Sequence, residues 1–170
     1  MKPTLLLFLT FLLAPMGGLA QKVNTEFDES ADFSKYKTFV WKGARINSKH
    51  PSLDNSLVEK HIQRAVIARL TAKGLTETPD HPDLFVHCFL GARNQRDVEL
   101  APAGWRGRGT RRVAYRYTQG TLVIDLRDAA RRELVWRATC VDTASDPAKI
   151  EKRIDNDVAK AFDKFPPKKK

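Results

Sequence analysis

Two adjoining segments constrain this fold more than anything else in the chain. Residues 120–127 (GTLVIDLR) and 133–142 (ELVWRATCVD) read as strands, joined by the polar turn 128–132. Successive strand side chains point to opposite faces. Leu122, Ile124 and Leu126 therefore share a face with Leu134, Trp136, Ala138 and Cys140 if the two strands pair antiparallel. Val123, Asp125, Val135, Arg137 and Thr139 then form the other face. A slip of one residue would exchange the two sets, so the pattern sets the pairing. The hairpin needs a cover over its apolar even face. On the odd face Asp125 falls near Arg137, which we read as a cross-strand charge pair rather than a binding pair, worth about 0.2–1 kcal/mol.

The remaining elements follow from periodicity. Residues 22–28 alternate and residues 37–42 (KTFVWK) are β-branched and aromatic, giving two strands. A helix follows, capped by Asp54 or Ser52, with Leu57, Val58, Ile62, Ala65, Val66 and Leu70 on one side. Gly74 stops it. Residues 83–91 (DLFVHCFLG) form a third strand, apolar on both faces except at His87. Asp146 and Pro147 open a last helix in which Ile150, Ile154, Val158, Ala161, Phe162 and Phe165 recur at helical spacing until Pro166. The order is ββαβββα. It predicts a single α+β domain, a two-layer sandwich of a mostly antiparallel sheet with two amphipathic helices on one face. Within a flexible Arg/Gly-rich segment near 92–117, residues 92–110 read as irregular and residues 111–117 as the start of an extended ribbon, and Lys168 to Lys170 read as a basic tail.

The N-terminus reads as a cleavable secretory leader. Lys2 precedes the apolar run 5–13, and Gly18-Leu19-Ala20 ends in the small residues that a signal peptidase reads. The run is too short to span a bilayer. Cleavage after Ala20 leaves residues 21–170, long enough for one core without staples. The reading is a soluble periplasmic protein with no transmembrane segment. The formal net charge of +10 points to an anionic partner. Export disfavours nucleic acid, leaving an envelope protein, anionic lipid or polysaccharide, or plain solubility. Cys88 and Cys140 are the two cysteines. An oxidising compartment makes them a candidate disulfide, with buried free thiols as the alternative.

Several stretches together resemble a known family. Asp32-Phe33-Ser34-Lys35-Tyr36-Lys37-Thr38-Phe39, Pro82-Asp83-Leu84, the 120–126 and 134–137 hairpin strands and Phe165-Pro166-Pro167 are similar to the bacterial envelope domain-of-unknown-function 4136 family. The resemblance spans nearly the whole mature chain. It implies an α+β envelope domain and brings no activity or catalytic residues. Many members are lipoproteins, whereas this chain has no cysteine near the cleavage site, which favours a soluble periplasmic form.

No catalytic motif, cofactor or metal site stands out. Asp80, His81, Asp83 and His87 are the densest group of metal-ligand types, yet His87 lies along an extended strand, away from the rest. We read them as a turn and a strand. Trp105 among Arg106, Arg108, Arg111 and Arg112 could grip an anionic group or a protein. Phe85 and Phe89 could form an apolar patch on the helix-free sheet face, unless 92–117 folds over it. The function expected is a non-enzymatic envelope module that binds a protein or an anionic envelope component. The alternative is a periplasmic hydrolase, metal-assisted, using the Asp80–His87 region.

Overall fold

The structure, a computed structural model, describes residues 22–103 and 109–168. Six strands form one sheet: β1 (Lys22–Phe27), β2 (Thr38–Ser48), β3 (Thr76–Glu77), β4 (Leu84–Ala103), β5 (Gly109–Asp128) and β6 (Leu134–Ala144). Their spatial order is β1-β6-β5-β4-β2-β3. Helix α1 (Ser56–Ala72) follows β2, and α2 (Ala148–Glu151) and α3 (Ile154–Phe162) follow β6. The class is α+β, and the sheet is mixed. β2 runs parallel to β4 and β3, while the pairs β1–β6, β4–β5 and β5–β6 are antiparallel. A parallel neighbour needs a crossover, and α1 lies in the connection from β2 to β4.

The expected hairpin register holds from Trp136 onward. Leu122 faces Cys140, Ile124 faces Ala138, Asp125 faces Arg137 and Leu126 faces Trp136. The register shifts after Leu126, so that Arg127 faces Leu134. Leu84, Val86, Cys88 and Leu90 on β4 join Leu122, Ile124 and Leu126 of β5 and Trp136, Ala138 and Cys140 of β6 in the core; the shift also turns Val135, expected on the other face, into the core in place of Leu134. Val58, Ile62, Val66 and Leu70 of α1 and Ile154, Val158, Ala161 and Phe162 of α3 complete the same cluster. Leu57, expected on the apolar side of α1, is instead 70% exposed. The cap also differs from expectation. Asn55 accepts from the backbone N–H groups of Leu57 and Val58 at 3.0 and 3.1 Å, because Ser52 and Asp54 precede the first turn by too much. Gly74 follows the helix at φ +87°, as its left-handed stop requires.

The last helix is broken where one continuous helix was expected. Between α2 and α3, Arg153 turns toward β6 and donates to Asp142 at 2.6 Å and to the Thr143 carbonyl at 3.2 Å. Ile150 of α2 is pressed against Gly120, where an added Cβ would meet Ile150 Cγ2 at 2.7 Å. An aromatic cluster closes the opposite end of the core. Trp136 stacks on Phe162 with centroids 5.4 Å apart, and Phe165 meets Trp136, Phe162 and Phe33 edge-on at 5.4–5.9 Å.

The segment 92–117 is not irregular in its described parts. Residues 92–103 continue β4 and 109–117 continue β5, paired one to one without a register shift. β2 stops at Ser48, opposite Ala92, and β6 stops at Ala144, opposite Thr118. Beyond those points β4 and β5 have, among the described residues, only each other, as a two-stranded ribbon of roughly 30 Å.

Candidate functional site

The ribbon is the feature most available to a partner. Val98 is 50% exposed, Leu100 68% and Tyr115 47%, among exposed Arg96, Arg112 and Arg116. Strands exposed on both faces bury little, so such exposure in an apolar side chain asks for a reason. Of the residues singled out in the sequence, Arg111 and Arg112 lie on this ribbon, on opposite faces by strand alternation. Trp105, Arg106 and Arg108 lie outside the described residues. The segment does not fold back over the sheet in its described parts, since it runs on past the flanking strands.

The odd face of the sheet is more polar than expected. One row across it reads Glu26, Arg137, Asp125, His87 on β1, β6, β5 and β4. Arg137 donates twice to Asp125, from Nε and Nη2, both at 2.6 Å, and Arg127 stands 3.8 Å from the same carboxylate. The pair read from the sequence is therefore formed, in bidentate geometry that is stronger than a single contact. Partial desolvation and the Arg127 cation hold the His87 pKa below the usual histidine value, against the opposing pull of Asp125. Phe85 and Phe89 flank this row and are half-buried. The Lys42 ammonium sits 4.7 Å above the Phe85 ring. Lys42 reaches it from a bulge before Gly43, whose φ of +123° only glycine adopts without strain. The Phe89 ring lies over Gly91, where an added Cβ would meet it at 3.1 Å. His87 stands between the two rings on this face of β4.

The Asp80–His87 group does not converge. Asp83 accepts through one oxygen from the Lys37 N–H at 2.8 Å and from the Thr38 N–H and hydroxyl at 2.9 Å each. The Lys37 N–H, first among these donors, holds the Asp83 pKa below the ordinary carboxylate value. Its job is to cap the start of β2. His81 occupies an exposed turn at φ 47°. Among the described residues no three or more His, Cys, Asp or Glu side chains are placed to hold a metal ion.

The candidate disulfide is corrected. Cys88 and Cys140 are both buried free thiols. Cys88 faces Ile124, which faces Ala138, so Cys140 is two strands over and two residues along. That is roughly 11 Å from strand spacing alone, well past the reach of an S–S bond. Burial pushes the Cys140 thiol up to about 12 and Cys88 higher still, leaving neither as a ready thiolate.

Sequence reasoning missed one buried group. Asp157 of α3 and Asp142 of β6 each have a buried carboxylate oxygen without a hydrogen-bond partner. Burial, then the nearby Asp142 charge, raises the Asp157 pKa to about 7. The signal was available, since Asp157 precedes Val158 and follows Ile154 by three, on the stripe that faces the sheet.

A family model described as a domain of unknown function, DUF4136, matches residues 23–167. The chain belongs to that family. A solved DUF4136 family protein from Bacteroides thetaiotaomicron shares the fold with a TM-score of 0.53 and 18% identity, over 86% of this chain and 96% of its own. A PDZ domain protein from Parabacteroides distasonis gives a TM-score of 0.59 and 15% identity over 88% of this chain. The chain spans only 37% of that larger protein. No curated protein matches the sequence. The residues that carry the DUF4136 resemblance are packing and capping residues here. Asp32 caps a single 3-10 turn (Phe33–Lys35), Phe33 packs on Phe165, the Tyr36 hydroxyl donates to Asp128 at 3.0 Å, and Asp83 caps β2. Membership of DUF4136 accordingly speaks for architecture and brings no chemistry with it.

Proposed function

We propose that this DUF4136 chain is a non-enzymatic, exported module of the bacterial envelope that binds a partner protein through the β4–β5 ribbon. One observation carries the reading: two strands continue past both neighbours and hold Val98, Leu100 and Tyr115 in solvent among arginines. Tyr and Arg beside exposed aliphatics is the composition of a binding surface. The leader-like N-terminus supports export, and no described helix is long and apolar enough to cross a membrane. The hydrolase alternative is the weaker reading, since Asp83 is engaged by Lys37 and Thr38 while His87 stands four residues further along, opposite Asp125.

In-cell crosslinking of wild type is the test, beside a Leu100→Asp, Tyr115→Asp double variant and a Phe89→Asp variant, each shown to be folded. Loss of the crosslinked partner in the ribbon variant alone is expected. Full capture by the ribbon variant would overturn the reading.

A further inference from the structure

The two faces of the ribbon differ in charge. On the face continuous with the core side, Arg96 stands directly opposite Arg116, Val98 opposite Ala114, and Leu100 opposite Arg112. Asn94 and Thr118 sit at its base and confirm the face by a 3.2 Å hydrogen bond between their side chains. None of these positions is acidic. The ribbon's carboxylates, Asp97 and Glu99, fall on the other face, opposite Tyr115 and Val113. Like charges directly opposed in a sheet cost stability. Several arginines outside the ribbon do have carboxylate partners: Arg137 with Asp125 and Arg153 with Asp142 at 2.6 Å, Arg131 with Glu133 at 3.1 Å. Arg96, Arg112 and Arg116 make no ion pair among the described residues. Arg96 and Arg116 also wall an open cleft of about 460 Å³ between the ribbon base and the β6–α2 connection, shared with His50 and Ser145. The nearest acid in that connection, Asp146, accepts from the Ala148 N–H at 3.0 Å.

Resting on the ribbon reading above, we infer that this face docks an acidic protein segment carrying apolar residues, with a carboxylate held between Arg96 and Arg116. A carboxylate there replaces repulsion with charge-assisted hydrogen bonds. Val98 and Leu100 receive the apolar side chains. The partner is a polypeptide rather than a lipid surface because both ribbon edges beyond Ala92 and Thr118 offer backbone groups with no neighbouring strand among the described residues, and an extended chain can pair with them.

The test uses the full mature chain and a synthetic peptide of Glu and Leu, with a Lys and Leu peptide and phosphatidylglycerol vesicles as controls. Arg96→Glu is the informative variant, since it sets a Glu opposite Arg116. It is expected to weaken binding of the Glu/Leu peptide by about tenfold or more while leaving the unfolding midpoint equal or higher. Arg111→Glu, on the other face, is expected to stay within about twofold of wild type. No peptide binding by wild type, equal losses in both variants, or binding of the vesicles alone would each overturn the inference. A crosslinked partner that Arg96→Glu retains and Leu100→Asp, Tyr115→Asp loses would overturn it too, while leaving the ribbon reading in place.

Discussion

Asp157 is the residue whose chemistry departs furthest from its sequence surroundings. It is 4% exposed, one oxygen lacks a partner, and its pKa is raised to about 7. An ordinary carboxyl in the unfolded chain ionises near 3.8. Between those values the folded state holds the proton that the unfolded state has lost. Stability therefore falls as pH rises from about 4 to about 7, and the cost is complete above that. Asp157→Asn removes the ionisation and keeps the shape. It is expected to stabilise the fold at pH 8 by about 1–2 kcal/mol and to flatten the decline, as measured by urea unfolding from pH 5 to pH 8. A variant less stable than wild type at pH 8 would mean that the charge is used. Asp125 makes the contrast. Its pairing with Arg137 was legible because both lie in a regular hairpin, where parity alone places them together.

At the scale of elements, the run of β4 past Gly91 and the break in the last helix were the parts the sequence did not disclose, whereas residues 111–117 already read as the start of a ribbon. Period-two alternation marks a strand only when one face is buried. Residues 93–100 and 110–117 are solvated on both sides over most of their length, so Arg, Asp, Glu, Val and Leu follow each other without pattern. The break between α2 and α3 comes from contacts distant in sequence, Arg153 on Asp142 and Ile150 on Gly120. Gly120 is thus a contact position for α2. Gly120→Val should separate α2 from the sheet and cost about 1–3 kcal/mol, read from the urea midpoint. A neutral result would show that α2 can shift off β5 freely.

For the whole molecule, the sheet order decides the state of the thiols. β5 lies between the strands that carry Cys88 and Cys140, and α1 and α3 cover the face they share. Intact-mass measurement without reductant is expected to show two free thiols, and alkylation to require denaturant. A mass lower by two hydrogens would mean that β4 and β6 approach in a way this sheet does not permit. The sequence by itself determined the hairpin register from Trp136 onward, the two amphipathic helical stretches, the Asp125–Arg137 pair and the family, because each is written in local spacing or in a contiguous motif. The tertiary structure alone decided that β2 and β4 run parallel, that Asp83 caps β2, that the cysteines stay apart and that the ribbon leaves the sheet. Those depend on which strands become neighbours, and neighbours are chosen by burial of the whole even face at once, a quantity no single segment carries.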